Sequence, residues 1–400
     1  MTRVICFYLP QFHVIPENNA WWGEGFTEWL NVKRAKPLFD GHYQPHAPLN
    51  DYYYSLDDIR VQKRHVSLAK KFGIFGFCFY FYWFNGKTLL EAPTKRWLQS
   101  PELDLPFCLC WANENWTRRW DGGDDEILVP QVHSFLDDRN FINHIIPYLK
   151  DSRYIRIEGK PLIVLYRPNL LPNAQLTASA WRSVCESSGV GPIHLSYVQG
   201  FDRSDPGIYG FDSAIEFPPL SIDNAGFRSE RINNQVRSYS SANDYNFNLY
   251  DYKKFVQFSE NYPELPYTLF RGVCPSWDNT ARRLNSNAFI VHNATPESYH
   301  EWLLNACLFS KSRSQQQSSN GSDIVFINAW NEWGEGCHLE PDTKFHYRWL
   351  QETRRALDIV SHMNISSNHR SFWWFLGVCS SNTVLLLCPF YNFILSSFEV

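Results

Sequence analysis

The sequence predicts an α/β fold, a (β/α)8 TIM barrel with long loops at its catalytic face. Eight short apolar runs recur along the 400 residues, with helical stretches between them. Most of these runs are continuously apolar rather than alternating, the mark of parallel strands buried on both faces. The first run leads into Leu9-Pro10-Gln11-Phe12-His13 and contains no glycine. A nucleotide-binding open sheet would place a glycine-rich turn there, so the doubly wound sheet is the second choice. Strand count and strand–helix alternation favour the barrel.

The strands follow in order. The first is Val4 to Leu9, the second Ile74 to Trp83, the third Phe107 to Trp111 and the fourth Leu162 to Tyr166. The fifth is Ile193 to Val198, the sixth Ser213 to Phe217, the seventh Tyr267 to Val273 and the eighth Ile324 to Trp330. Between them, Ser55 to Asp58 reads as a capping box opening a helix that stops before Gly73. Ser134 to Asp137 has the same form and opens a helix to about Lys150. Asn173 to Ser187 is helical in pattern and ends at Gly189. Thr295 caps a helix whose first residue is Pro296 and which reaches about Phe309. Asp342 to about His362 closes the set.

Two segments interrupt the pattern. Leu220 to Asn248 is polar and irregular and follows the sixth strand, so it stands at the catalytic face as a lid or substrate-selecting loop. Lys311 to Ser322 is low-complexity and precedes the eighth strand, which places a flexible surface loop at the opposite face. One domain, residues 1–362, is expected, followed by an apolar tail, 363–400. From Ser371 to Phe398 the tail has no charged residue, and its length would span a bilayer. Ser380 to Thr383 interrupt its middle, where polar groups are costly in lipid. A weak membrane anchor, a segment packed on the domain and a mis-read gene end all remain open. The tail offers the one route to membrane contact.

Composition narrows the function classes. The net charge of −4 comes from nearly balanced acids and bases, with no basic stripe, so no nucleic-acid partner is expected. The ten cysteines form no paired framework and no C-x-x-C; Cys6, Cys78, Cys108 and Cys110 lie within predicted strands and Cys274 at the end of one. With a strand at Arg3 to Leu9 and no signal peptide expected, this points to a cytoplasmic protein. Sixteen Trp, twenty-one Tyr and thirty Phe exceed what a core requires. A bulky core and a ring-lined sugar cleft both account for them. No H-E-x-x-H occurs, so no metal and no cofactor are expected, and no Gly-x-Ser-x-Gly elbow marks an acyl-transfer site.

In a barrel the strand ends converge on one pocket, so the polar residues there are the candidates. The first strand and its loop supply Tyr8, His13, Trp22 and Glu28, and the second supplies Tyr82. Trp111, Asn113 and Glu114 follow the third, Tyr166 the fourth, Glu216 the sixth and Trp277 the seventh. The eighth ends in Asn331-Glu332-Trp333-Gly334-Glu335. For most of these a structural role is an equal reading: Glu114 and Glu216 have arginines nearby in Arg118 and Arg271. The Glu332/Glu335 pair is different. Two acids in a Trp/Gly-rich turn after a buried strand are what glycoside chemistry needs, one carboxyl donating a proton while the other stays ionised.

Four motifs, Tyr8 to His13, Trp21 to Trp29, Trp111 to Trp116 and Asn331 to Gly336 with Glu340-Pro341, together resemble the WbsX-type family. That family is described as glycosyltransferases of surface polysaccharide synthesis and is related to glycoside hydrolase family 99, the endo-α-mannosidases and endo-α-mannanases. The resemblance covers about residues 1 to 360. It implies a (β/α)8 barrel acting on glycosidic bonds in polysaccharide (surface glycan, O-antigen-like) metabolism, with a glycan as partner. It also implies Glu335 as general acid/base and Glu332 as base for the sugar 2-hydroxyl, which would displace the leaving group through an epoxide. A glycosyltransferase using an activated donor, and a non-catalytic glycan-binding barrel, are the alternatives. The sequence departs from the hydrolases at Gly334, where they commonly carry histidine.

Overall fold

In a computed structural model, residues 2–118, 123–223, 231–239, 246–283, 287–317 and 323–363 are described. The strands are β1 (Arg3–Tyr8), β2 (Gly76–Phe84), β3 (Phe107–Trp111), β4 (Lys160–Leu165), β5 (His194–Gln199), β6 (Ser213–Glu216), β7 (Leu269–Val273) and β8 (Ile324–Ile327). Each pairs in parallel with its sequence neighbours, and β8 pairs with β1, Arg3 opposite Ile324, so the sheet closes into a barrel. All eight strands are those expected from the apolar runs. Their buried residues, such as the whole of Gly76–Phe84, explain the absence of alternation.

The helices between them are α1 (Ile59–Lys71), α2 (Ala92–Gln99), α3 (Phe135–Leu149), α4 (Ala174–Ser187), α5 (Tyr252–Ser259), α6 (Pro296–Gln317) and α7 (Arg348–His362). The short β5-to-β6 connection holds a 3-10 turn, Pro206–Tyr209. Ser134 caps α3 by accepting from Asp137 N at 3.1 Å, and Asn173 caps α4 from Leu176 N at 3.0 Å. The α1 cap is not Ser55 but Asp58, which accepts from Arg60 N at 2.9 Å. Ser55 instead accepts from Asp57 N in the turn before it. α7 begins at Arg348 rather than Asp342, because the Asp342 carboxylate accepts from Phe345 N and Trp349 Nε1 in a preceding turn.

The stretch from Lys311 is not a loop up to Gln317 but the last turns of α6. Ser310 and Ser312 are buried, and Lys311 Nζ donates to Val360 O of α7 at 2.6 Å. Low-complexity composition hid a helix that neighbouring contacts stabilise. Residues 318–322 and the tail from 364 lie outside the described residues, as do the anchor and packing readings of that tail. No helix among the described residues is long and apolar enough to cross a membrane.

The catalytic-face loops share a small sheet of their own. Phe247–Asp251, at the end of the irregular segment after β6, pairs in parallel with Ala288–His292 from the loop after β7, which pairs antiparallel with Trp277–Asp278. Leu38 and Phe39 from the loop after β1 pack into its core with Phe247, Leu249, Ala288 and Ile290. Three loops are thereby joined above the barrel.

β6 and β7 approach closely at Gly272, where a Cβ would overlap the Glu216 carbonyl and press on Pro218. Gly272→Ala is expected to lower stability by about 1–3 kcal/mol, read from the urea midpoint. An unchanged midpoint would show that the strands part without cost.

Candidate active site

The chain builds its site at the carboxyl ends of the strands, in a cleft of about 350 Å³. Its floor is the turn after β8. Asn331 fixes that turn to β1 by its side-chain amide, accepting from Leu9 N at 2.7 Å and donating to Leu9 O at 2.9 Å. Asn113 does the same between β3 and β4, accepting from Arg167 N at 2.8 Å and donating to Arg167 O at 2.9 Å. Each amide continues a ladder where the backbone has left it.

Glu332 and Glu335 converge on one guanidinium. Arg282 Nη2 lies 2.6 Å from Glu332 Oε2, and Nη1 lies 2.7 Å from Glu335 Oε1. The Nε and Nη2 groups of the same arginine grip Glu28 in a bidentate pair. The Glu28 side chain is 0% exposed, Glu332 5% and Glu335 20%, so Glu335 is the carboxylate nearest the open cleft. Gly334 permits this arrangement. A Cβ at that position would run into the Glu28 carboxylate and meet Arg282 Nε at 2.9 Å. The missing side chain thus has a physical reason: Glu28 occupies its place.

Burial, followed by the charges of Glu335 and Glu28, pushes the Glu332 carboxyl up to about 8 against the pull of Arg282. Burial alone would loosen the proton on Arg282, but three carboxylates hold its pKa well above the ordinary value. The site thus pairs a fixed cation with a deep carboxyl pushed well above the usual carboxylate range.

The turn is held from behind. Glu340 accepts from Tyr54 OH and Trp333 Nε1, both at 2.7 Å, and meets His65 Nε2 at 2.7 Å. His65 Nδ1 contacts Tyr8 OH at 2.9 Å. Trp333 stacks on His338 with centroids 3.7 Å apart. Beneath Arg282, Asp278 caps the 3-10 turn Asn279–Arg282 and bonds His42 Nε2 at 2.6 Å and Gln44 Nε2 at 2.7 Å. Burial would raise the Asp278 carboxyl, but His42 and His46 bring it well below the usual carboxylate range.

Of the residues expected from sequence, Trp22, Tyr82, Glu114, Tyr166, Trp277, Glu332 and Glu335 line the cleft. Glu28 lies beneath it on Arg282. The others stand outside it among the described residues. Tyr8, Asn331 and Trp333 belong to the buttress. Trp111 is in the core, stacked on Phe141 at 4.2 Å, and Asn113 joins two strand ends. His13 is buried, and Glu216 accepts from Gly272 N at 3.2 Å beside Arg271. Both readings of the aromatic surplus hold: Trp97, Trp111 and Trp181 fill the core, while Trp21, Trp22 and Trp116 line the cleft. Sequence reading missed Arg282. Its signal was its place in the loop after β7, four residues beyond Asp278, on the side where strand ends converge.

Fold and site together define a (β/α)8 barrel with paired carboxylates in an aromatic cleft. The chain belongs to the WbsX glycosyltransferase family, whose model matches residues 4–353. It is 45% identical over 358 residues to the uncharacterized protein WxcX of two strains of Xanthomonas campestris pv. campestris, covering 88% of this chain. The chain spans about half the length of these curated relatives, 49%. In fold it is similar to the glycoside hydrolase family 99 endo-α-mannosidase from Bacteroides thetaiotaomicron (14% identity, TM-score 0.53, 90% of this chain and 97% of the other). It is likewise similar to a glycoside hydrolase-like protein (13% identity, TM-score 0.52, 89% and 93%).

The Glu332 shift gives a stability prediction. An unfolded glutamate titrates at about 4.3, and the folded one at about 8. A raised acid favours the fold in its protonated form, so this contribution is complete below the unfolded value and is lost as pH rises through the folded one. Glu332→Gln has no proton to lose. Its melting temperature relative to wild type should therefore climb as pH goes from 5 to 9. A difference independent of pH would contradict the shift.

Proposed function

We propose that this barrel acts on a glycosidic bond of a glycan in polysaccharide metabolism, with Glu335 and Glu332 as the reacting carboxylates and retention of configuration. The observation that carries the reading is the convergence of both carboxylates on the Arg282 guanidinium at the floor of a ring-lined cleft. Sugar faces stack on aromatic rings, and Trp22, Tyr82, Tyr166 and Trp277 supply them, with Glu114 at the rim to accept from hydroxyls. The WbsX family description supports glycoside chemistry and favours transfer to an acceptor hydroxyl over transfer to water.

In this reading Glu335, the more exposed carboxyl, gives its proton to the leaving-group oxygen as the bond to the anomeric carbon breaks. Glu332 takes the proton of the sugar 2-hydroxyl, whose oxygen closes on the anomeric carbon. Water or an acceptor hydroxyl then opens the three-membered ring from the opposite face, giving its proton to Glu335 while Glu332 returns its proton to the 2-oxygen. Two displacements give retention. Two carboxylates sharing one guanidinium suit a close-set retaining site better than the wider spacing that holds a water between inverting acids. A cytoplasmic setting belongs to the proposal, supported by eight buried, unpaired cysteines among the described residues.

One observation favours a second assignment of roles. Burial, followed by the charges of Glu335 and Glu28, pushes the Glu332 carboxyl up to about 8, which suits an acid better than a base. Leaving-group chemistry separates the two. Loss of a general acid is expected to cost about 10²–10⁴-fold on an ordinary glycan, and much less on an aryl glycoside whose leaving group needs no proton. Glu335→Gln should regain activity on the aryl substrate while Glu332→Gln should not, and the reverse would exchange the roles. Products from α-mannosides and sugar nucleotides, followed by mass spectrometry, distinguish free reducing sugar from extended glycan. Equal glycan binding by wild type and Glu335→Gln, with product from neither, would leave a binding barrel and end the enzyme reading.

A further inference from the structure

We propose that Glu28 is a charge-compensating positioning residue: its carboxylate takes up the charge of Arg282, and so allows the Glu332/Glu335 pair on the same guanidinium to keep one exchangeable proton. The inference rests on the reading that these two glutamates are the reacting pair.

The problem it solves is electrostatic. A half-buried guanidinium in contact with two carboxylates favours both in their ionised form, because opposite charges at hydrogen-bond distance in a partly desolvated site attract strongly. A site holding two ionised carboxylates has an acceptor for the 2-hydroxyl proton but no donor for the leaving group. Arg282 alone would therefore disarm the pair it holds.

Glu28 removes that conflict. It grips Arg282 through Nε and Nη2 in a fork-on-fork pair, the strongest geometry open to arginine, and it is fully buried while Glu335 is partly exposed. The cluster then holds one cation against three carboxyls. With Glu28 assigned to Arg282, the remaining two carboxyls sit on neighbouring nitrogens of one guanidinium, and like charges so placed favour sharing a proton.

The geometry around Glu28 is built to hold it there. Trp29, the next residue, packs on Trp333 with centroids 5.6 Å apart and donates from Nε1 to Tyr54 O at 2.8 Å. Gly334 leaves the space that the Glu28 carboxylate occupies, since a Cβ there would run into it. Arg282 is fixed from its own side by the Asp278 cap. Among the described residues, the titratable and charged groups around Glu332 include Glu28, Tyr80 and Tyr82 of β2, Tyr166 after β4, Arg282, Glu335 and Cys337, with Glu114 and Arg283 lining the same cleft. Of these, Arg282 is the cation bonded to Glu332, and Glu28 is its bidentate partner.

The test reads the proton directly, without activity. Glutamate carboxyl carbons are labelled with 13C, and the Glu332 and Glu335 signals, assigned with the Gln variants, are followed by NMR against pH. In Glu28→Gln, folded by its melting curve, the shared proton should be lost at least one pH unit lower than in wild type. Glu28→Asp, which keeps the charge, should restore most of the difference. Arg282→Gln must move the midpoint the opposite way, and so serves where Glu28→Gln does not fold. A midpoint unmoved in the folded variants would overturn the proposal. The aryl-glycoside and product assays judge the catalytic reading separately, so either idea can fail while the other stands.

Discussion

The site depends on a single arginine neutralising buried acids that come from opposite ends of the chain. Arg282 meets Glu28 across 254 residues and Glu332 across 50. Buried carboxylates without a partner would each be strongly destabilising, and breaking a buried pair by removing one partner costs about 3–5 kcal/mol. The loops after β1, β7 and β8 can therefore bring their acids together only because the cation sits between them. Gly334 leaves room for it, and the small sheet above the barrel joins two of those loops before they reach the cleft.

The rest of the local structure serves to keep that cluster in place. Two carboxylates that face away from the cleft are tied off completely. Glu340 spends its oxygens on Tyr54, Trp333 and His65, and Asp278 on His42, Gln44 and Thr280. Among the described residues Glu332 has no such set of donors; burial and the charges of Arg282, Glu335 and Glu28 decide its state. Glu340 and Glu332 stand eight residues apart on the same segment, yet burial is outweighed by the His65 charge and hydrogen bonds in one and prevails in the other. That contrast separates a carboxyl satisfied by its partners from one left with a raised proton affinity.

The strands were legible because a strand buried on both faces must be apolar throughout, and every apolar run became a barrel strand. Caps were legible where the side chain reaches its own helix, as at Ser134 and Asn173, and were displaced where a second acceptor lay closer, as at Asp58. The extension of α6 through Lys311–Gln317 was hidden because composition, not periodicity, dominates that stretch. The glutamate pair was legible from its local setting. Arg282 was not, because a loop carries no periodicity and its partners are distant in sequence. Trp111 and Trp333 read as sugar platforms but are core and buttress, since a ring's position in sequence does not say which way it faces.

The proposed double displacement at the anomeric carbon rests on two carboxylates sharing one guanidinium. The configuration of the first product tests this most directly. Proton NMR of the anomeric signals, taken before mutarotation, should show the product with the same anomeric configuration as the substrate or donor. A first product of inverted configuration would contradict the double displacement and the roles given to Glu332 and Glu335.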